Sequence, residues 1–113
     1  MTFFHSEMVR AEIAEISELQ EDVYSNVFEF YRMDKEQKIH HVNLLQKLLE
    51  KQRILYTRMS LSDDPEAQEM KERILDSAKM MGLQEGMNIS QMFGTMEKLL
   101  EKMKEEIDRY DNT

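Results

Sequence analysis

Residues 9–30 read VRAEIAEISELQEDVYSNVFEF, and this stretch decides the fold class. Val9, Ile13, Ile16, Gln20, Val23, Val27 and Phe30 recur at alternating spacings of four and three. Such a stripe falls on one face of a helix and is the pattern of a coiled-coil seam. Ser6 stands where an N-cap hydroxyl could accept a first-turn N–H. Glu12, Glu15, Glu18, Glu21 and Asp22 lie mostly off the stripe. Like charges three or four residues apart on a helix cost about 0.2–0.5 kcal/mol per pair. The packing of the apolar side must outweigh that repulsion.

Downstream, the same period returns three times. Asp34 and Gln37 have capping-box spacing, and Val42, Leu45, Leu49, Gln52, Tyr56 and Met59 form a second stripe. Leu48 and Leu55 widen it. Few residues near Tyr31 to Met33 separate the first two helices, so an antiparallel hairpin is expected. Asp64 followed by Pro65 reads as N-cap and first helical position. Ala67, Met70, Ile74, Leu75, Ala78 and Met81 mark a third helix, and Gly82 can supply its left-handed end. After a loop at 82–87, Asn88 and Gln91 repeat the capping-box spacing. Met92, Phe93, Met96, Leu100, Met103, Ile107 and Tyr110 give a fourth apolar face. The expectation is an all-α single domain over 1–113. Its helices fall at roughly 6–30, 34–60, 64–81 and 88–110, as a long antiparallel hairpin plus two more helices.

Charge divides the hairpin. The net charge is −8. Residues 1–31 carry −6, residues 32–60 carry +4 and residues 61–113 carry −6. An acidic first helix therefore precedes a basic second one, whose cations are Arg32, Lys35, Lys38, Lys47, Lys51, Arg53 and Arg58. Internal charge complementarity is the plain reading of that pairing. Helices of ~25 residues would be roughly 37 Å long, against a radius of gyration of about 13 Å for a compact chain of this length. Stripes that long on so few helices are hard to cover within one chain. A homodimer or larger oligomer is expected, with Val9, Ile13, Ile16, Val23, Val27 and Phe30 as its seam.

Catalysis has little to work with. The chain has no cysteine, no Gly-x-Ser-x-Gly and three histidines. Gly82 and Gly86 are not followed by the Lys-Ser/Thr of a phosphate loop. Glu-x-x-His pairs, which a di-metal bundle needs, are lacking. His40 and His41 are adjacent, so they point in different directions on a helix and read as exposed or boundary residues. No catalytic, metal or cofactor site is expected. No apolar run approaches the ~18 residues of a membrane span, and no signal peptide is evident, so a cytoplasmic location is expected. The eleven methionines read mainly as core filler.

The chain thus reads as a binding protein, not an enzyme. The sharper reading makes the acidic face, Glu12, Glu15, Glu18, Glu21 and Asp22, the surface that engages a basic partner. Phe3 and Phe4 would either fold back on the bundle or add a weak apolar contact to that partner. A scaffold acting through helix–helix oligomerisation is the alternative. Direct nucleic-acid binding by the basic second helix is the weakest of the three, because the chain as a whole is negative.

Three segments carry a family resemblance. Phe3-Phe4-His5-Ser6-Glu7 resembles the Phe-Phe-Asp-Ser-Glu opening of a small cyanobacterial family of unknown function. Arg53 to Arg58, then Leu61-Ser62-Asp63-Asp64-Pro65 with Ala67 and Met70, is similar to its central turn. Gly86-Met87, Met92-Phe93, Met96, Leu99, Met103 and Lys104 resemble its last helix. The sequence departs from the pattern at His5 and Ile89, and residues 10–31 match in periodicity alone, as a relative carried by a cyanophage would. The resemblance implies a partner, ribonuclease E, whose catalytic region such proteins bind and inhibit. It carries over no binding residues.

Overall fold

The computed structural model describes residues 3–80 and 88–111. They form four α-helices, α1 (Glu7–Asn26), α2 (Lys35–Leu61), α3 (Pro65–Met80) and α4 (Ile89–Asp111). Short 3-10 helices occupy Phe3–His5 and Val27–Arg32. No strand occurs among the described residues. The expected all-α class and the four helices are what the structure has. The expected end of the third helix at Met81 and Gly82, and the loop after it, lie outside the described residues.

Every other helix packs on α2. The reason is in its sequence. Leu44/Leu45, Leu48/Leu49 and Leu55/Tyr56 are adjacent apolar pairs, which on a helix diverge by about 100°. One member of each pair can face one neighbour and the second member another. Leu48 is buried with Ile16 and Val23 of α1, with Leu19, Leu44, Leu45 and Leu55 around them. Leu49 is buried with Ile89 and Phe93 of α4, with Tyr56, Ile74 and Leu75 packed on them. α1 and α4 both run antiparallel to α2. Glu12 pairs with Arg58 and Glu15 with Lys51, while Glu97 pairs with Arg53 and Asp108 with Lys35.

The caps explain the helix boundaries. Asp34 and Gln37 exchange side-chain and backbone hydrogen bonds at 2.9 and 3.1 Å, the expected capping box. Asn88 and Gln91 do the same at 3.1 and 2.8 Å. Asp64 Oδ1 accepts the Glu66 N–H at 3.1 Å and caps α3 ahead of Pro65. Ser6 departs from expectation: it sits at the N-cap of α1, but its side chain makes no cap hydrogen bond. The first helix also ends early, at Asn26 rather than Phe30. Ser25 Oγ and Asn26 Nδ2 both donate to the Asp22 carbonyl, at 3.0 and 2.8 Å. Such side-chain bonds compete with helix continuation, and the backbone tightens into the 3-10 helix Val27–Arg32.

Part of the expected oligomer seam is buried within the single chain. Val9, Ile16 and Val23 are buried within the chain, and Ile16 and Val23 pack on Leu48 of α2. Ile13 and Val27 are partly exposed, and Phe30 turns inward onto His41 at a ring separation of 5.5 Å. His41 itself is 4% exposed, not the exposed or boundary residue expected. Phe3 and Phe4 stack edge to face at 5.1 Å, and both are half-buried. The Phe3 N–H donates to the Asp64 carboxylate. The N-terminal turn is therefore folded back onto the start of α3, which leaves these rings little free surface for a partner.

Two outcomes follow. Leu49→Ala should destabilise the fold by about 2–5 kcal/mol, because it opens a cavity between α2 and α4; urea unfolding followed by circular dichroism reads this. Burial, with His40 beside it as a lesser cause, holds the His41 imidazole below its ordinary value of 6.5. The neutral form is thus the folded form. Stability should be full above pH 6.5 and should fall as pH drops from there towards the folded-state value, because the unfolded chain takes up the proton first. Urea unfolding at a series of pH values should show that loss in the wild type, and His41→Gln should remove it.

Candidate functional site

The acidic residues of α1 do not form one surface. At 3.6 residues per turn, Asp22 falls within about 20° of Glu15 with Glu18 beside them, and the three share a hollow with Lys47 and Lys51 of α2, while Glu21 turns outward. Arg58 Nη1 donates to Glu12, and Lys51 Nζ donates to Glu15. The Lys51 hydrogen bond and charge, helped by Lys47, hold the Glu15 carboxyl below its ordinary value. These two carboxylates are engaged inside the hairpin, as the plain reading of the charge pattern expected. Glu18, Glu21, Asp22 and Glu29 have no ion pair within 4 Å among the described residues. They are exposed along the second half of α1 and the 3-10 helix.

Aromatic side chains accompany those free carboxylates. Phe28 is 84% exposed, Tyr31 72% and Tyr24 63%. Sequence reasoning missed them, because attention to the main stripe left them as off-face residues. A signal was present: Tyr24, Phe28 and Tyr31 are spaced by four and three, a second apolar row beside the first. The Arg32 guanidinium lies 5.4 Å from the Tyr31 ring centre, and Lys38 lies 5.9 Å from that of Phe30. At the hairpin tip, an open hollow of about 680 Å³ includes Asp22, Asn26, Glu29, Arg32, Glu36 and His40 in its lining. Its exposed carboxylates and amides suit cationic or polar groups.

The cations of α2 are largely occupied. Lys35, Lys51, Arg53 and Arg58 each hold a carboxylate of α1 or α4. Exposed pairs of this kind contribute about 0–1 kcal/mol each, so their main effect is to fix register and to cancel the positive stripe. No group of three or more His, Asp or Glu residues placed to hold a metal occurs among the described residues. No described helix is long and apolar enough to cross a membrane.

No curated protein and no solved structure matches the chain. A family model does match, over residues 1–107, and it spans the hairpin, the acidic and aromatic edge, α3 and most of α4. The chain therefore belongs to DUF1825, a family described as a domain of unknown function.

Proposed function

We propose that this chain is a non-catalytic, cytoplasmic regulator that binds a nucleic-acid enzyme and inhibits it, with ribonuclease E as the first partner to test. The observation that carries the reading is the set of exposed carboxylates Glu18, Glu21, Asp22 and Glu29, with Phe28 and Tyr31 exposed at the end of the same arm. Carboxylates without internal counter-ions steer a protein towards a positive surface and orient it there. Aromatic rings supply the desolvated contacts that dominate protein–protein affinity. A channel built to hold RNA presents cations for phosphates and flat faces for bases, and these side chains offer a counterpart to both. The resemblance to a cyanobacterial family linked with ribonuclease E supplies the partner.

Direct nucleic-acid binding has less support. A phosphate-binding stripe needs free cations, and four of the seven on the second helix already hold carboxylates. The reading also revises where the partner contacts fall. Glu12 and Glu15 act inside the fold, and the contact surface moves to the end of α1 and the segment after it.

Cleavage of a labelled RNA by purified ribonuclease E, with and without this chain, tests the proposal. The wild type should suppress cleavage, and the suppression should weaken with added salt. Glu18→Lys with Glu21→Lys and Asp22→Lys should weaken binding by tenfold or more, and Phe28→Ala should do the same without changing the charge. Undiminished cleavage and no complex at micromolar concentrations would end the ribonuclease reading.

A further inference from the structure

The chain exposes more surface than its mass requires. Its accessible surface is 8396 Å², whereas a compact monomer of this mass exposes about 6,600 Å². The radius of gyration is 16.3 Å, against about 13 Å for a compact chain of this length. The extents, 54 × 33 × 19 Å, describe a flat slab. α1 and α4 lie against α2 from two sides, and an open groove of about 370 Å³ runs between them. Leu45, Leu48 and Leu49 of α2 lie in it, Tyr24 is on the α1 wall, and Leu99 and Met103 are on the α4 wall.

Both walls are uncharged, in a chain of which 34% is charged. On α4, Glu97, Glu101, Lys104 and Asp108 form one row and reach towards α2, to Arg53, Gln46 and Lys35. Met96 and Met103 stand one residue before Glu97 and Lys104, about 100° round the helix, and Met92 and Leu99 lie farther round on the same side. On α1, Ile13, Ser17, Gln20 and Tyr24 share a flank with no charge, while Glu12 and Glu15 turn towards the cations of α2. Leu99 is 57% exposed at the centre of its row.

We propose that this groove is the face through which two copies of the chain associate, each copy laying the Met96–Leu99–Met103 row of its α4 against the groove of the other. Charge selects the occupant. Two copies at −8 each repel wherever their carboxylates meet. The groove is a surface on which they can meet without opposing charges. A basic partner would instead be drawn to Glu18, Glu21, Asp22 and Glu29, none of which lines this groove. Area agrees with the choice. The excess of about 1,800 Å² over a compact monomer exceeds the roughly 800 Å² that each partner buries in a standard interface. A two-fold axis through the groove makes the contact self-complementary, and the association closes at two. Unbranched methionine side chains adjust readily to the opposing helix.

Sedimentation equilibrium across micromolar concentrations tests this. The wild type should show twice the chain mass of 13.6 kDa. Leu99→Glu with Met103→Glu should return the single-chain mass with unchanged helical circular dichroism, since both side chains are already partly exposed in the single chain. Tyr24→Lys, on the opposite wall, should independently raise the dimer dissociation constant at least tenfold. Phe28→Glu and the Glu18/Glu21 lysine variants, outside the groove, should leave the mass doubled. A wild-type mass of one chain overturns the proposal and leaves the groove to a different helix. So does a dimer that survives both groove variants, or an assembly larger than two.

Discussion

The two-sided apolar surface of α2 is the constraint on which the rest of the structure depends. A helix with one stripe can hold one layer of partners. α2 carries adjacent apolar pairs through its middle, and Leu48/Leu49 and Leu55/Tyr56 each serve two neighbours at once. Leu48 closes the core with α1, and Leu49 closes the core with α4. With both faces occupied, α1 and α4 need not touch each other extensively, and a groove remains between them. The flat shape, the exposed surface and the division of functional surfaces all follow from that placement.

Charge then sets direction and register. The acidic first arm, basic second arm and acidic last helix alternate in sign, so α2 can hold carboxylates on both sides. The ion pairs lie at the edges of the two apolar cores, where water keeps each one weak. Their cooperative effect is geometric: a shift of either outer helix would leave cations facing empty positions. What remains after this pairing is the acidic and aromatic edge at the hairpin tip. The remainder is a surface charge, free to meet something else.

Much of this could be read from residues alone. The four periodic stripes located four helices, and Asp34–Gln37 and Asn88–Gln91 form the capping boxes that their spacing indicated. The antiparallel hairpin followed from a short connection. The seam was harder, because a stripe shows that a face is buried without saying whether its cover is intramolecular. Val9, Ile16 and Val23 were found by period, and the partner of Ile16 and Val23 was the chain's own α2. The early end of α1 depended on Ser25 and Asn26 folding back on one carbonyl, a local contest that periodicity does not register. Phe28 and Tyr31 lie where helical period gives way to the tighter 3-10 winding, and Tyr24, inside α1, falls off the main stripe. Glu12 and Glu15 could not be separated from Glu18, Glu21 and Asp22 by charge alone. Asp22 even shares the angular position of Glu15, and only the distance to the cations of α2 separates the paired carboxylates from the others.

The order of the helices along the chain has a consequence for synthesis. α1 and α2 meet over a tight connection, so the hairpin can close as soon as both have left the ribosome. At that moment α2 has one face covered and one bare. Leu49 and Tyr56 wait for Ile89 and Phe93, which arrive only after α3 has been made. A hairpin that closes at that moment carries an open apolar row until α4 arrives, and that row is then the surface exposed to wrong encounters. The tie between the Phe3 amide and Asp64 lies ahead of α4 in the same sequence of events. It can lock the N-terminus to the start of α3 early, leaving the docking of the last helix as the step that completes the fold.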